Sequence, residues 1–155
     1  MAKKSSAESY DSLVRRLGLV SIQIVFIYTL GLSGAVKLLN WHNVMAKYID
    51  MFNPTFVSHF PGTVVAIYAT GGLEIVAALL FIASIVRREF LDDVDRVFLN
   101  FAFLLALIIF AILGFGLKLL AEYNNNHAAT FQMFGYTLLT FIAWRAIMYT
   151  HRRPI

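Results

Sequence analysis

The run VVAIYATGGLEIVAALLFIASIV, Val64–Val86, decides the fold: Glu74 is its single acidic or basic residue among Asp, Glu, Lys and Arg. At ~1.5 Å per helical residue it is long enough to cross the ~30 Å hydrocarbon core of a bilayer. A helix apolar on every side over that distance has no use in a small soluble domain. Three further runs of the same kind, Leu17–Leu39, Val97–Ala121 and Ala129–Tyr149, flank it. The chain therefore reads as an all-α integral membrane four-helix bundle forming a single transmembrane domain over residues 1–155. Its composition agrees: 59% of the 155 residues are hydrophobic and 14% charged, with mean hydropathy +0.71, where soluble domains lie nearer half apolar and a quarter charged. The first run follows a basic stretch, as in a signal peptide. It exceeds an h-region in length and no small-residue cleavage site follows, so it is read as retained.

The net charge of +4 is distributed unevenly. With four spans, the termini and the second loop share one side of the membrane. That side holds Lys3, Lys4, Arg15, Arg16, Arg87, Arg88, Arg96, Arg145, Arg152 and Arg153, and the other only Lys37, Lys47 and Lys118. This is the positive-inside asymmetry, which predicts that both termini are cytoplasmic. The basic excess thus orients the protein, and a nucleic-acid partner is not expected. The chain has no cysteine, which removes disulfide relays, thiolate metal sites and Cys-ligated clusters.

Between the first two spans lies the most aromatic loop. Val44, Tyr48, Met51 and Phe52 fall on one helical face, and Asn43, Lys47 and Asp50 on the other. The pattern predicts a short interfacial helix, stopped at Asn53-Pro54. Residues Met1–Asp11 read as a polar, unstructured or partner-held segment. Arg87–Arg96 reads as a tight charged turn, and Tyr123 with Asn124–Asn126 as an outer turn.

Ionisable groups in hydrocarbon are costly, and each requires a reason. Glu74 lies near the middle of its span with Thr70, Gly71, Ala77 and Ala78 as its helical neighbours, so it points into the bundle from a close-packing face. Two readings stay open. In one, a neutral carboxyl hydrogen-bonds to Gln23, Tyr28, Thr29 or Tyr136, and Glu74→Gln is tolerated. In the other, it relays a proton or contacts a ligand such as a quinone. Gln23, Leu30, Gly34 and Lys37 form a stripe with Arg16 on the first span. Lys37 and Lys118 lie towards the outer ends of their spans, where they either snorkel to the interface or face an outer vestibule, with Asp50 and Glu122 as partners. The intramembrane polar set is thus Glu74, Gln23, Lys37, Tyr28 and Lys118.

His42, His59, His127 and His151 all lie outside the middle of the spans and lack a ligand spacing, so neither a haem nor a metal site is expected. No hydrolase, metalloprotease or phosphate-loop motif is present, and no catalytic residue is assigned.

Four features resemble the DoxX-like family of small four-helix membrane proteins: Arg15-Arg16-Leu17-Gly18 opening the first span, Gly31-Leu32-Ser33-Gly34-Ala35-Val36-Lys37-Leu38 closing it, Phe60-Pro61 ending the outer loop, and Gly71-Gly72-Leu73-Glu74 in the second span. The match covers about the first 90 residues. The resemblance implies a small subunit of a quinone-linked electron-transfer complex in the bacterial inner membrane. Such a subunit is not catalytic alone, packs against other membrane subunits and lipids, holds no covalent cofactor, and borders a quinone or lipid site. The alternative is a freestanding enzyme or carrier for a small hydrophobic molecule, with Glu74, Gln23 and Lys37 lining its cavity.

Overall fold

The computed structural model describes residues 6–59, 62–91, 93–124 and 127–151. Among these the regular elements are all helical: α1 (Ser6–Leu39), α2 (Trp41–Phe52), α3 (Gly62–Val86), α4 (Val97–Asn124) and α5 (Ala128–His151), with a 3₁₀ turn at Phe56–His59. Tyr10–Leu39, Gly62–Val86 and Val97–Glu122 are long and apolar enough to cross a membrane. The protein is an all-α, multi-pass membrane protein. The helix expected as a fourth span is present over 24 residues, but Gln132, Arg145 and several threonines make it less apolar than the other three.

α1 starts earlier than its apolar run. The segment from Ser6, expected to be unstructured or held by a partner, continues the helix. α2 forms where the amphipathic spacing places it. Val44, Tyr48, Met51 and Phe52 are half-buried, and Asn43, Lys47 and Asp50 exposed. Its end is fixed by Thr55, whose hydroxyl and amide both donate to the Phe52 carbonyl. The outer turn at Asn125–Asn126, the basic Lys3, Lys4, Arg152 and Arg153, and Phe60-Pro61 lie outside the described residues.

α1 packs antiparallel along α3, and glycine sets the closeness. A Cβ on Gly34 would stand 2.7 Å from the Gly71 carbonyl oxygen and 2.9 Å from Ile75 Cγ1, and one on Gly71 would stand 3.1 Å from Lys37 Cβ. Side chains of ordinary size cannot occupy this crossing, so the two backbones touch. Deeper in the bundle Phe26, Phe81 and Phe103 pack ring against ring, Phe26 stacked on Phe81 at 5.0 Å and Phe103 edge-on to Phe81 at 5.2 Å.

At the opposite end from α2, the charged turn Arg87–Arg96 buries two of its ionisable side chains. Arg88 adopts φ 58°, the left-handed conformation that ends α3, and the Glu89 amide donates back to the Ser84 carbonyl. Glu89 is thereby turned inward. Its carboxylate accepts the Phe98 and Leu99 amides at 3.1 and 2.7 Å and caps α4. Arg96 is also buried, donating to the Glu89 carbonyl and, at 2.8 Å, to the Ile147 carbonyl of α5. Together with Trp144 Nε1 donating to Asn100 Oδ1 at 3.0 Å, these bonds fasten α5 to α4.

The helices follow one another in space as α1, α3, α4, α5, and α5 closes no comparable seam against α1. The bundle is therefore open along one side, and that opening positions the site.

Candidate functional site: a buried ion pair between two cavities

Lys37 and Glu74 meet where α1 and α3 touch. Lys37 Nζ donates to Glu74 Oε1 at 2.5 Å, with the two side chains 8% and 1% exposed. Ser33, one turn before Lys37, donates its hydroxyl to the same oxygen at 3.1 Å. Glu74 Oε2 is buried and has no hydrogen-bond partner. The outer-end position that the sequence suggests for Lys37 is corrected here. Lys37 is two residues from the end of its helix, but α3 begins nine residues beyond Gly71, its neighbour, which is ~13 Å further out. α2 then folds over the gap, and the ammonium is enclosed instead of snorkelling. The hydrogen-bonding partners expected for Glu74 are replaced in this structure by Lys37 and Ser33.

Two cavities flank the pair. The larger, about 680 Å³, fills the open side of the bundle between α1 and α5. Glu74 and Ser33 are at one end of its lining, with Leu30, Phe110, Met133 and Ala143 among the apolar walls. Its mouth is edged by Val25, Tyr136 and Leu139, which are 62%, 44% and 64% exposed. The second cavity, about 410 Å³, lies under α2 and is lined by Lys37, Tyr48, Phe52, Thr63 and Thr70. Ser33, Leu113 and Met133 border both, so the ion pair and Ser33 stand in the partition between them. The Tyr48 phenol on the second side is held above its ordinary value of 10.0, first by burial and then by the negative charge of Glu74.

The remaining polar residues lie elsewhere. Gln23 is fully buried with neither amide atom partnered; it is on the same face of α1 but ten residues from Ser33, ~15 Å along the helix. Tyr28 is 70% exposed and faces outward. Lys118 is exposed and pairs with Glu122 one turn on, one of the two partners its position offers. Arg145 is exposed at the other end of α5. Among the described residues no group of three or more His, Asp or Glu side chains could hold a metal ion.

The sequence places Glu74, Gln23 and Lys37 around one cavity without pairing Lys37 with Glu74, and it gives Ser33, Tyr48, Glu89 and Arg96 no part in a site. The signal for the first was present. Lys37 lies three residues after Gly34 and Glu74 three after Gly71, and matching the two glycine faces antiparallel brings the charges together.

Fold and site define a multi-pass membrane protein with a laterally open apolar cavity ending on a buried ion pair. No family model, curated protein or solved structure matches the chain.

Proposed function

We propose that this protein binds a small hydrophobic molecule with a polar head, taking it from the lipid layer through the opening between α1 and α5. The observation that carries this reading is a buried carboxyl group, paired with Lys37 through one oxygen and with the other unpartnered, at the end of an apolar cavity of about 680 Å³. That volume is ordinary for ligand pockets, which are mostly apolar with a few polar groups fixing orientation. A purely structural ion pair has no need of a cavity beside it.

A quinone is the ligand class that fits the rest of the reading. Two of the stretches that resemble the DoxX-like family, Gly31–Leu38 and Gly71–Glu74, contribute Ser33, Lys37 and Glu74 to the site. The chain then acts as a small four-span subunit of a quinone-linked complex in the bacterial inner membrane, not catalytic alone, with both termini cytoplasmic. The asymmetry of basic residues supports that orientation, and the turn Arg87–Arg96 would share the cytoplasmic side. α5 packs chiefly on α4 and exposes Phe131, Phe134 and Leu138, a face suited to neighbouring subunits.

The test is extraction of the protein from native membranes in mild detergent, followed by mass spectrometry of what copurifies. A stoichiometric hydrophobic molecule with a polar head is expected, and it is lost from Ala143→Trp, which fills the cavity. Bulk phospholipid in equal amounts from both proteins would refute the reading. For orientation, cysteines at Asp93 and Asn53 should be labelled from the cytoplasmic and the outer side respectively; the reverse pattern would overturn it.

A further inference from the structure

Resting on the cavity reading, the hydrogen-bond inventory of the site says which chemistry the bound head carries. At the closed end, the open group is an acceptor, Glu74 Oε2. Lys37 and the single Ser33 hydroxyl proton are both directed at Glu74 Oε1, and Oε2 has no partner. Ser33, its proton used, has only lone pairs left for the two cavities it borders. Further along the larger cavity, Thr140 donates to the Tyr136 carbonyl of its own helix at 2.7 Å, so its hydroxyl too offers acceptance alone.

We infer that the larger cavity selects a head group that donates a hydrogen bond, namely a hydroxyl on a hydrophobic body such as a phenol, a quinol or a long-chain alcohol. A donor at the closed end completes Glu74 Oε2 with a charge-assisted bond, among the stronger hydrogen bonds available in proteins. A quinone carbonyl or an ether brings only another acceptor and leaves Oε2 buried and unpaired. A carboxylate or phosphodiester head adds repulsion between like charges in a weakly screened site. Applied to quinones, the reduced, hydroxyl-bearing form is held and the oxidised form released. The preference requires no electron transfer by this chain.

Matched probes that differ in one proton test this. Binding of 4-octylphenol and 4-octylanisole to the full-length purified protein is measured by competition against a fluorescent alkylphenol, and decyl-quinol is compared with decyl-quinone under reducing and oxidising conditions. The phenol is expected to bind at least tenfold more tightly than the anisole, and the quinol than the quinone. Glu74→Leu should remove the preference. Val25→Trp, at the exposed mouth where it disturbs no core packing, should weaken all four probes. Equal affinities within each pair, with all four weakened by Val25→Trp, would overturn the donor selectivity and leave the cavity reading standing. No binding, or binding indifferent to Val25→Trp, would overturn both.

Discussion

Removing one member of the Lys37–Glu74 pair is the perturbation whose size the geometry fixes best. At 2.5 Å and an effective dielectric constant of ~20, the gross attraction is about 7 kcal/mol. Desolvation of two buried ions offsets several kcal/mol of this, so the pair contributes little beyond what two well-packed apolar side chains would. Breaking it is different, because an uncompensated charge stays in the partition. Lys37→Met and Glu74→Leu should each destabilise the protein by about 3–5 kcal/mol, while the double variant returns to within about 1–2 kcal/mol of the parent. Glu74→Gln should be as damaging as Glu74→Leu, since it keeps the shape of the side chain but leaves the ammonium without its counter-ion. The assay is a double-mutant cycle on equilibrium unfolding in mixed micelles, read by helical circular dichroism. If the single costs stay below ~2 kcal/mol and add, the pair is no more than the polar contact usual between membrane helices, and its treatment as a buried ion pair fails.

Other perturbations read other parts of the structure. Gly34→Ala should cost about 1–3 kcal/mol by forcing α1 off α3, whereas Gly72→Ala, whose Cβ meets nothing within 4 Å, should be near neutral by the same unfolding measurement. Glu89→Gln should cost about 1–3 kcal/mol through the weakened cap of α4, against less than ~0.5 kcal/mol for Asp93→Asn at an exposed position of the same turn. The difference spectrum between the parent and Tyr48→Phe isolates one phenol titration, with a midpoint above 10.0. A phenol held above its ordinary value contributes stability that is complete below pH 10 and is lost as pH rises through the folded midpoint. In the Lys37→Met/Glu74→Leu double variant that midpoint should fall but stay above 10.0, because burial is the larger of its two causes.

The elements were legible and their meetings were not. Except at the start of α1, hydrophobic length placed the long helices to within a few residues, because the bilayer sets a length that composition reveals directly. The amphipathic spacing of Val44, Tyr48 and Met51 likewise located α2. The depth of Lys37 was hidden because it depends on α3 extending past the end of α1, a relation between two helices that neither sequence contains. Glu89 and Arg96 are charges in a turn by sequence, and neither the α4 amides that Glu89 caps nor the Ile147 carbonyl that Arg96 reaches can be read from it. Tyr28 illustrates the reverse. A polar residue within an apolar run was grouped with the interior, but it lies off the stripe formed by Gln23, Leu30 and Lys37 and points outward.

Occupancy of the cavity between α1 and α5 by the head of a hydrophobic ligand is best tested by photoaffinity labelling. A diazirine-bearing alkylphenol is irradiated with the protein in lipid nanodiscs, and the adducts are mapped by peptide mass spectrometry. Adducts concentrated on Val25, Met133 and Leu139, suppressed by excess unlabelled phenol, are the expected result. Adducts spread equally over Val65, Leu79 and Phe101, which are exposed elsewhere on the bundle, and unchanged by competitor would mean that the cavity holds no ligand.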